Sequence, residues 1–232
     1  MANQDNKDFY NNNVSSANQL NDSDKTSFGG EDGQGIKVLF IGNSITRHGI
    51  KEDIGWYTDC GMAASSIDKD YVHQTVRMLE KKYGKVQFCI AQRSDWEGDF
   101  TTPNTRDYFK EAYDFDADIA IFRLGENVRM TQPEHVDVFA NALIDAMKYL
   151  TENRRAKLVV TDTFWRNQYI NASIEKACAV MGVESVKIGD LGDDDSMKAI
   201  GLFAHGGVAM HPGDKGMKAI ADRIVAKIEE IM

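Results

Sequence analysis

Cysteine is scarce in this sequence, and the few thiols stand apart: Cys60, Cys89 and Cys178 form no CxxC pair. An odd number of scattered thiols cannot close into an intramolecular disulfide framework, so they read as ordinary packed side chains. Basic residues are also in deficit, with 27 Lys and Arg against 36 Asp and Glu and a formal charge of −9. A phosphate-binding face needs clustered cations, so this balance argues against nucleic acid as a partner. No apolar stretch approaches the roughly 18 residues that a membrane span requires, and the first residues lack the basic and apolar segments of a signal peptide. As written the chain reads as soluble, either cytoplasmic or, if a signal segment has been removed, exported or tethered to an envelope. Metal patterns are missing too: there is no HxH, HExxH or Cys/His spacing, and Asp193-Asp194-Asp195 reads as a solvated turn. No metal and no cofactor is expected.

What is present is enough for one sizeable core: 232 residues, 42% of them hydrophobic. Residues 1–35 are almost wholly Asn, Asp, Ser, Gly, Gln and Lys, and their few apolar side chains are too sparse to offset the entropy of ordering. That segment is expected to be a disordered polar tail, with the domain running from Ile36 to Met232. Within the domain, apolar strand-like runs alternate with amphipathic helical ones, the pattern of a parallel sheet covered on both faces. Strands are expected near Ile36–Ile41, Val86–Ala91, Ile119–Leu124, Leu158–Thr161 and Val183–Ile188, and helices near Tyr71–Tyr83, Pro133–Leu150 and Tyr169–Met181. In Gly213–Met232 the residues Met217, Ile220, Ile224, Ile228 and Ile231 recur at three- and four-residue steps, which lays one apolar face against the sheet. Gly189–Gly207 reads as a long irregular loop.

The first apolar run ends in Gly42-Asn43-Ser44, a tight turn that releases a hydroxyl at the carboxyl end of a strand, where open α/β sheets bind ligands. Ser44 is a candidate nucleophile, and its own amide a candidate oxyanion donor; the plainer alternative is that Asn43 and Ser44 cap a following helix. The third strand runs into Gly125-Glu126-Asn127, where the Asn127 amide is a second candidate oxyanion donor or, more plainly, a turn residue. His211 precedes Pro212 and Gly213 at the entry to the last helix, framing that suits a general base.

Gly42-Asn43-Ser44, Gly125-Glu126-Asn127 and His211-Pro212, in this order along the domain, resemble the SGNH (GDSL-type) hydrolase family. The resemblance implies a three-layer α/β/α flavodoxin-like fold with a parallel sheet of about five strands. It also implies Ser44 as nucleophile, His211 as base, and Ser44 N–H with Asn127 as oxyanion donors. Members commonly cleave esters, often acetyl groups on carbohydrates. Two positions depart from the pattern. Val208 stands where the family places an aspartate three residues before the histidine, so His211 is oriented either by a backbone carbonyl or by a carboxylate from elsewhere, with Glu126, Asp95, Glu97 and Asp190 as candidates. After the second strand, within residues 91–98, the family's oxyanion glycine has no clear counterpart.

For the substrate, Trp56, Trp96 and Trp165 lie downstream of strands, where they either stack on a sugar or pack loops. Arg47, Arg93, Arg129 and Arg166 gather at strand ends, which suggests an anionic group on the substrate. Asn43, Arg47, Arg93, Trp96, Glu126 and Trp165 are the candidate substrate-binding residues. The expected partner is a small-molecule or glycan ester; oligomeric state is left open. The leading reading is a serine esterase working through an acyl-enzyme. Its rival, motivated by Val208, is a catalytically weakened carbohydrate-binding module of the same fold.

Overall fold

The computed structural model of the chain describes residues 25–30, 33–129, 132–151 and 156–232. Its elements in chain order are β1 (Thr26–Gly30), β2 (Ile36–Gly42), α1 (Tyr71–Tyr83), β3 (Val86–Gln92), α2 (Ser94–Gly98), α3 (Thr105–Asp114), β4 (Ile119–Arg123), α4 (Val136–Thr151), β5 (Lys157–Thr161), α5 (Gln168–Met181), β6 (Ser185–Val186), α6 (Gly189–Asp193), α7 (Gly206–Ala209) and α8 (Asp214–Ile231). The sheet runs β1-β3-β2-β4-β5-β6. All neighbours pair in parallel except β1, which lies antiparallel on the outer edge of β3.

The layers follow from strand periodicity. Successive side chains on a strand point to opposite faces, so a run buried on both sides must be apolar throughout. Val38 and Phe40 of β2 face one core with Ile119 and Ile121 of β4, and there they meet Val72, Val76 and Leu79 of α1 and Met217, Ile220, Ile224 and Ile228 of α8. Leu39 and Ile41 face the other core with Ala120 and Phe122, packed under Phe109 of α3, Phe139, Leu143 and Met147 of α4, and Ile170 and Ile174 of α5. Each such large side chain removed from water contributes roughly 1.5–3 kcal/mol, which is what holds the helices to the sheet. The result is the expected three-layer α/β/α sandwich.

Six elements differ from the sequence reading. Residues 26–30 belong to the sheet instead of the tail, because their backbone completes the open edge of β3 from Thr26 opposite Ala91 to Gly30 opposite Gln87. Residues 1–24, the bulk of the expected tail, lie outside the described residues. Helices α2 and α3 were not legible, since α3 buries only Phe109 and Ala112, too few positions for a helical period to show. The fifth expected strand shrinks to the two residues of β6, and Gly189–Gly207 carries α6 and the start of α7.

Candidate active site

Parallel pairing places the carboxyl ends of β2, β3 and β4 side by side, with Gly42 opposite both Gln92 and Arg123. The three turns that follow, beginning at Asn43, Arg93 and Leu124, therefore rise from one edge of the sheet. Gly42 is required at the first of them, because a Cβ there would collide with the Thr46 side chain and crowd the Arg123 carbonyl. Gly125 is required at the third: its φ of +137° suits glycine, and a Cβ would press into Ile170 and Thr163.

No helix starts at Ser44; the next helical segment is the 3-10 turn Glu52–Ile54 and the next α-helix, α1, begins at Tyr71, so the capping alternative for Asn43 and Ser44 is set aside. Instead the chain folds into a turn in which Thr46 N–H and Arg47 N–H both donate to the Asn43 carbonyl, at 2.9 and 3.0 Å. The Ser44 carbonyl accepts from Met62 N–H at 2.9 Å, while the Ser44 N–H donates to no acceptor among the described residues.

Ser44 Oγ lies 2.9 Å from His211 Nε2. On the other side of the ring, His211 Nδ1 lies 2.7 Å from the Gly207 carbonyl. A carbonyl oxygen can only accept, so Nδ1 carries the proton and Nε2 presents its lone pair to the Ser44 hydroxyl. The ring is further framed by Trp165, whose indole meets it edge-on at 4.8 Å between centroids and donates from Nε1 to the Met210 carbonyl at 3.1 Å. Burial pushes the His211 pKa down to about 4, against the raising effect of the Gly207 carbonyl, and nearby His48 and Arg123 lower it further. At neutral pH the imidazole is a free base.

The orienting group is thus a backbone carbonyl. Val208 points into the core and is fully buried, so a carboxylate in its place would not face the ring. The four acids considered as substitutes are engaged elsewhere: Asp95 with Lys25, Asp190 with Arg223, and Glu97 and Glu126 in a buried network. His205, another loop histidine, caps α7 by accepting from Val208 N–H at 3.4 Å.

That network is what the sequence did not reveal. Arg123, the last residue of β4, is fully buried. It donates to Glu126 Oε1 at 2.5 Å and to Asn43 Oδ1. Asn43 Nδ2 in turn donates to Glu126 Oε2 at 2.7 Å and to Glu97 Oε1 at 3.0 Å. Glu97 Oε1 accepts from Gly125 N–H at 2.5 Å, and its Oε2 accepts from Asn127 Nδ2 at 2.6 Å. Asn127, exposed at its outer side, and Asn43, next in chain to Ser44, therefore bind the same carboxylate. The available signal was a charged residue closing the apolar run Ile119-Ala-Ile-Phe-Arg123: a buried guanidinium must find a carboxylate.

Among the substrate-contact candidates, Trp165 stands beside His211, and the others do not present themselves to a substrate. Asn43 and Glu126 are saturated by the network, Glu126 accepting also from Phe164 N–H at 3.1 Å. Arg93 is buried and donates to the carbonyls of Tyr108, Lys25 and Gln92 and to the Thr26 hydroxyl. Trp96 is buried against Phe109 and Phe139. Arg47 grips Asp59 with two hydrogen bonds of 2.8 and 2.7 Å, and Arg166 pairs with Asp193 at 3.0 Å. Trp56 is buried beside Phe203. Arg47, Arg93 and Arg166 are thus neutralised or buried, and of the four arginines only exposed Arg129, two residues beyond Asn127, still supports an anionic group on the substrate. Among the described residues no three His, Cys, Asp or Glu side chains converge as metal ligands would, and no helix is long and apolar enough to cross a membrane.

The central strand β2 is flanked by β3 and β4, with a serine on the turn after it and a histidine before the last helix, in the three-layer α/β/α arrangement expected from the sequence. No protein-family model and no curated protein matches the sequence. Solved structures do. A family two carbohydrate esterase from Cellvibrio japonicus superposes with a TM-score of 0.55 at 15% identity, over 84% of this chain and 61% of its own. A GDSL-like lipase from Bacteroides ovatus ATCC 8483 gives 0.48 at 14% identity, over 85% of this chain and 100% of its own. The chain thus spans under two thirds of the esterase's length, and at 15% identity the likeness to it is one of fold.

Proposed function

We propose that this protein is a serine esterase that removes short, acetyl-like acyl groups from a carbohydrate or related ester through a Ser44-His211 dyad. The observation that carries the reading is the 2.9 Å contact of Ser44 Oγ with an Nε2 left unprotonated by the Gly207 carbonyl. Nε2 takes the hydroxyl proton as Oγ attacks the ester carbonyl carbon. The tetrahedral oxyanion rests on the unused Ser44 N–H and on the second N–H of the Asn127 amide, the first being held by Glu97. Collapse breaks the bond to the alcohol oxygen, which leaves with the proton from Nε2. Water then attacks the acyl-enzyme, His211 again taking the proton, and the acid departs while Ser44 regains its hydrogen.

A carbohydrate alcohol is supported by the indole of Trp165 beside the imidazole and by the fold shared with a carbohydrate esterase. The segment joined to His211 through Ala199 N–H carries exposed Ile200, and Met210, next in chain to His211, is exposed as well, which suits contact with the apolar faces of a ligand. The binding-only alternative keeps part of its motive: the Gly207 carbonyl takes over the orienting role vacated at Val208, but not the charge that would stabilise the imidazolium. Hydrolysis of p-nitrophenyl acetate is the test: Ser44→Ala and His211→Ala should each lower kcat by at least about 10³-fold, as loss of a nucleophile or its base does elsewhere. Turnover undiminished in Ser44→Ala would eliminate the serine mechanism, and a wild-type protein inert to every short ester would favour the binding module.

A further inference from the structure

We propose that Glu97 is a positioning residue of this site: its carboxylate fixes the Asn127 amide so that the second N–H points to where the oxyanion forms. The proposal rests on the esterase reading above. Glu97 comes from α2, on the turn after β3, and is fully buried. Its two oxygens collect three donors from the two other turns of the site: Asn43 Nδ2 beside the nucleophile, and Gly125 N–H and Asn127 Nδ2 on the far side. One carboxylate therefore ties the turn that carries Ser44 to the turn that carries the second oxyanion donor. A side-chain amide on an exposed turn can rotate about its χ angles, whereas one held at 2.6 Å has a single orientation. Glu126 lacks this role, since it binds Arg123, Asn43 and Phe164 N–H but not Asn127.

The protonation state of Glu97 supplies an independent readout. Burial raises its pKa, and Glu126 raises it further, against the lowering by the Gly125, Asn127 and Asn43 donors; the outcome is about 7. The charges that face it are Glu126 and Arg123, from the turn and strand of β4. On its own helix Asp95 is paired with Lys25, and Arg93 at the N-terminus is bound to backbone carbonyls. When Glu97 takes a proton, one oxygen gains a hydrogen and the set of three acceptor contacts can no longer be kept whole.

The test is a double-mutant cycle on p-nitrophenyl acetate, with Ser44→Ala as the control for the esterase reading. Glu97→Gln keeps the volume but turns an N–H₂ toward donors. It should lower kcat by about 10- to 100-fold with KM within about threefold, a loss no larger than that from removing one oxyanion donor. In an Asn127→Ala background the same change should cost less than about threefold more, since the group it positions is gone. Additive losses, or a Glu97→Gln kcat within twofold of wild type, would overturn the proposal. If Glu97→Gln does not fold, the wild-type pH profile decides. A partial step down in kcat centred near pH 7, absent from Asn127→Ala, is expected; a flat profile from about pH 5.5 to 8 contradicts it. Retained turnover in Ser44→Ala removes the esterase reading and this proposal together, whereas an inactive Ser44→Ala with an additive cycle removes this proposal alone.

Discussion

At the residue level the behaviour of the site turns on how His211 is held. A carbonyl fixes the tautomer as well as a carboxylate does, but it carries no full charge to stabilise the imidazolium, and burial pushes the pKa down to about 4. In the proposed mechanism the neutral ring is the active form, and a lowered pKa keeps it neutral to lower pH, so complete loss of kcat/KM should be centred near pH 4. This lies beneath the partial step expected from Glu97. A profile that falls to zero around pH 6.5 would show that the ring titrates like a free histidine. Restoring an acid at the departed position should not help. Val208 faces the core, so Val208→Asp places a carboxylate among apolar side chains and should cost roughly 3–5 kcal/mol, the scale of an uncompensated buried charge. Urea unfolding measures it, and an unchanged midpoint would mean that position 208 can turn outward. Ser44, Asn127 and His211 can be singled out in the sequence as candidates because each sits at an element boundary marked by glycine or proline. Arg93 and Trp96 were misread for a related reason: a strand end locates the Cα, but only the neighbouring elements decide whether the side chain points to solvent or into the core.

At the level of elements, the correction at Arg93 reassigns the residue from recognition to support. Its guanidinium joins the start of β1, the end of β3 and the Tyr108 carbonyl in α3. Arg93→Ala leaves buried acceptors unpaired and should destabilise the fold by about 2–4 kcal/mol, from several hydrogen bonds to a charged group at once. KM for a short ester should stay within about twofold. A large rise in KM with unchanged thermal stability would restore Arg93 to the substrate site. Helices α1 and α8 were legible to within a residue because their apolar positions repeat and their ends are marked, as where Asp70 caps α1 by accepting from His73 N–H at 2.8 Å. Strand β1 was not, because apart from Phe28 its sequence Thr-Ser-Phe-Gly-Gly is polar or small, and it joins the sheet through backbone pairing with an edge 57 to 65 residues further on (Gly30 with Gln87, Thr26 with Ala91). Pairing of that kind leaves no local periodicity to find.

At the scale of the whole molecule, the order β3-β2-β4 puts the strand that leads into Ser44 at the point where the strand order reverses, which is where open α/β sheets form a crevice. The class of fold could be read from the alternation of apolar runs, since it follows from counting faces. The buried Arg123-Glu126-Asn43-Glu97-Asn127 network could not, because it joins positions as much as 84 residues apart (43 to 127) that meet only once the sheet is assembled. The central claim, that this assembled edge makes one hydroxyl uniquely reactive, is open to direct measurement. Treatment with a fluorophosphonate followed by peptide mass spectrometry should give a single adduct on Ser44, formed at least about 100-fold more slowly in His211→Ala, where the base is gone. Labelling spread over several serines, or labelling of Ser44 at the same rate without His211, would contradict the account.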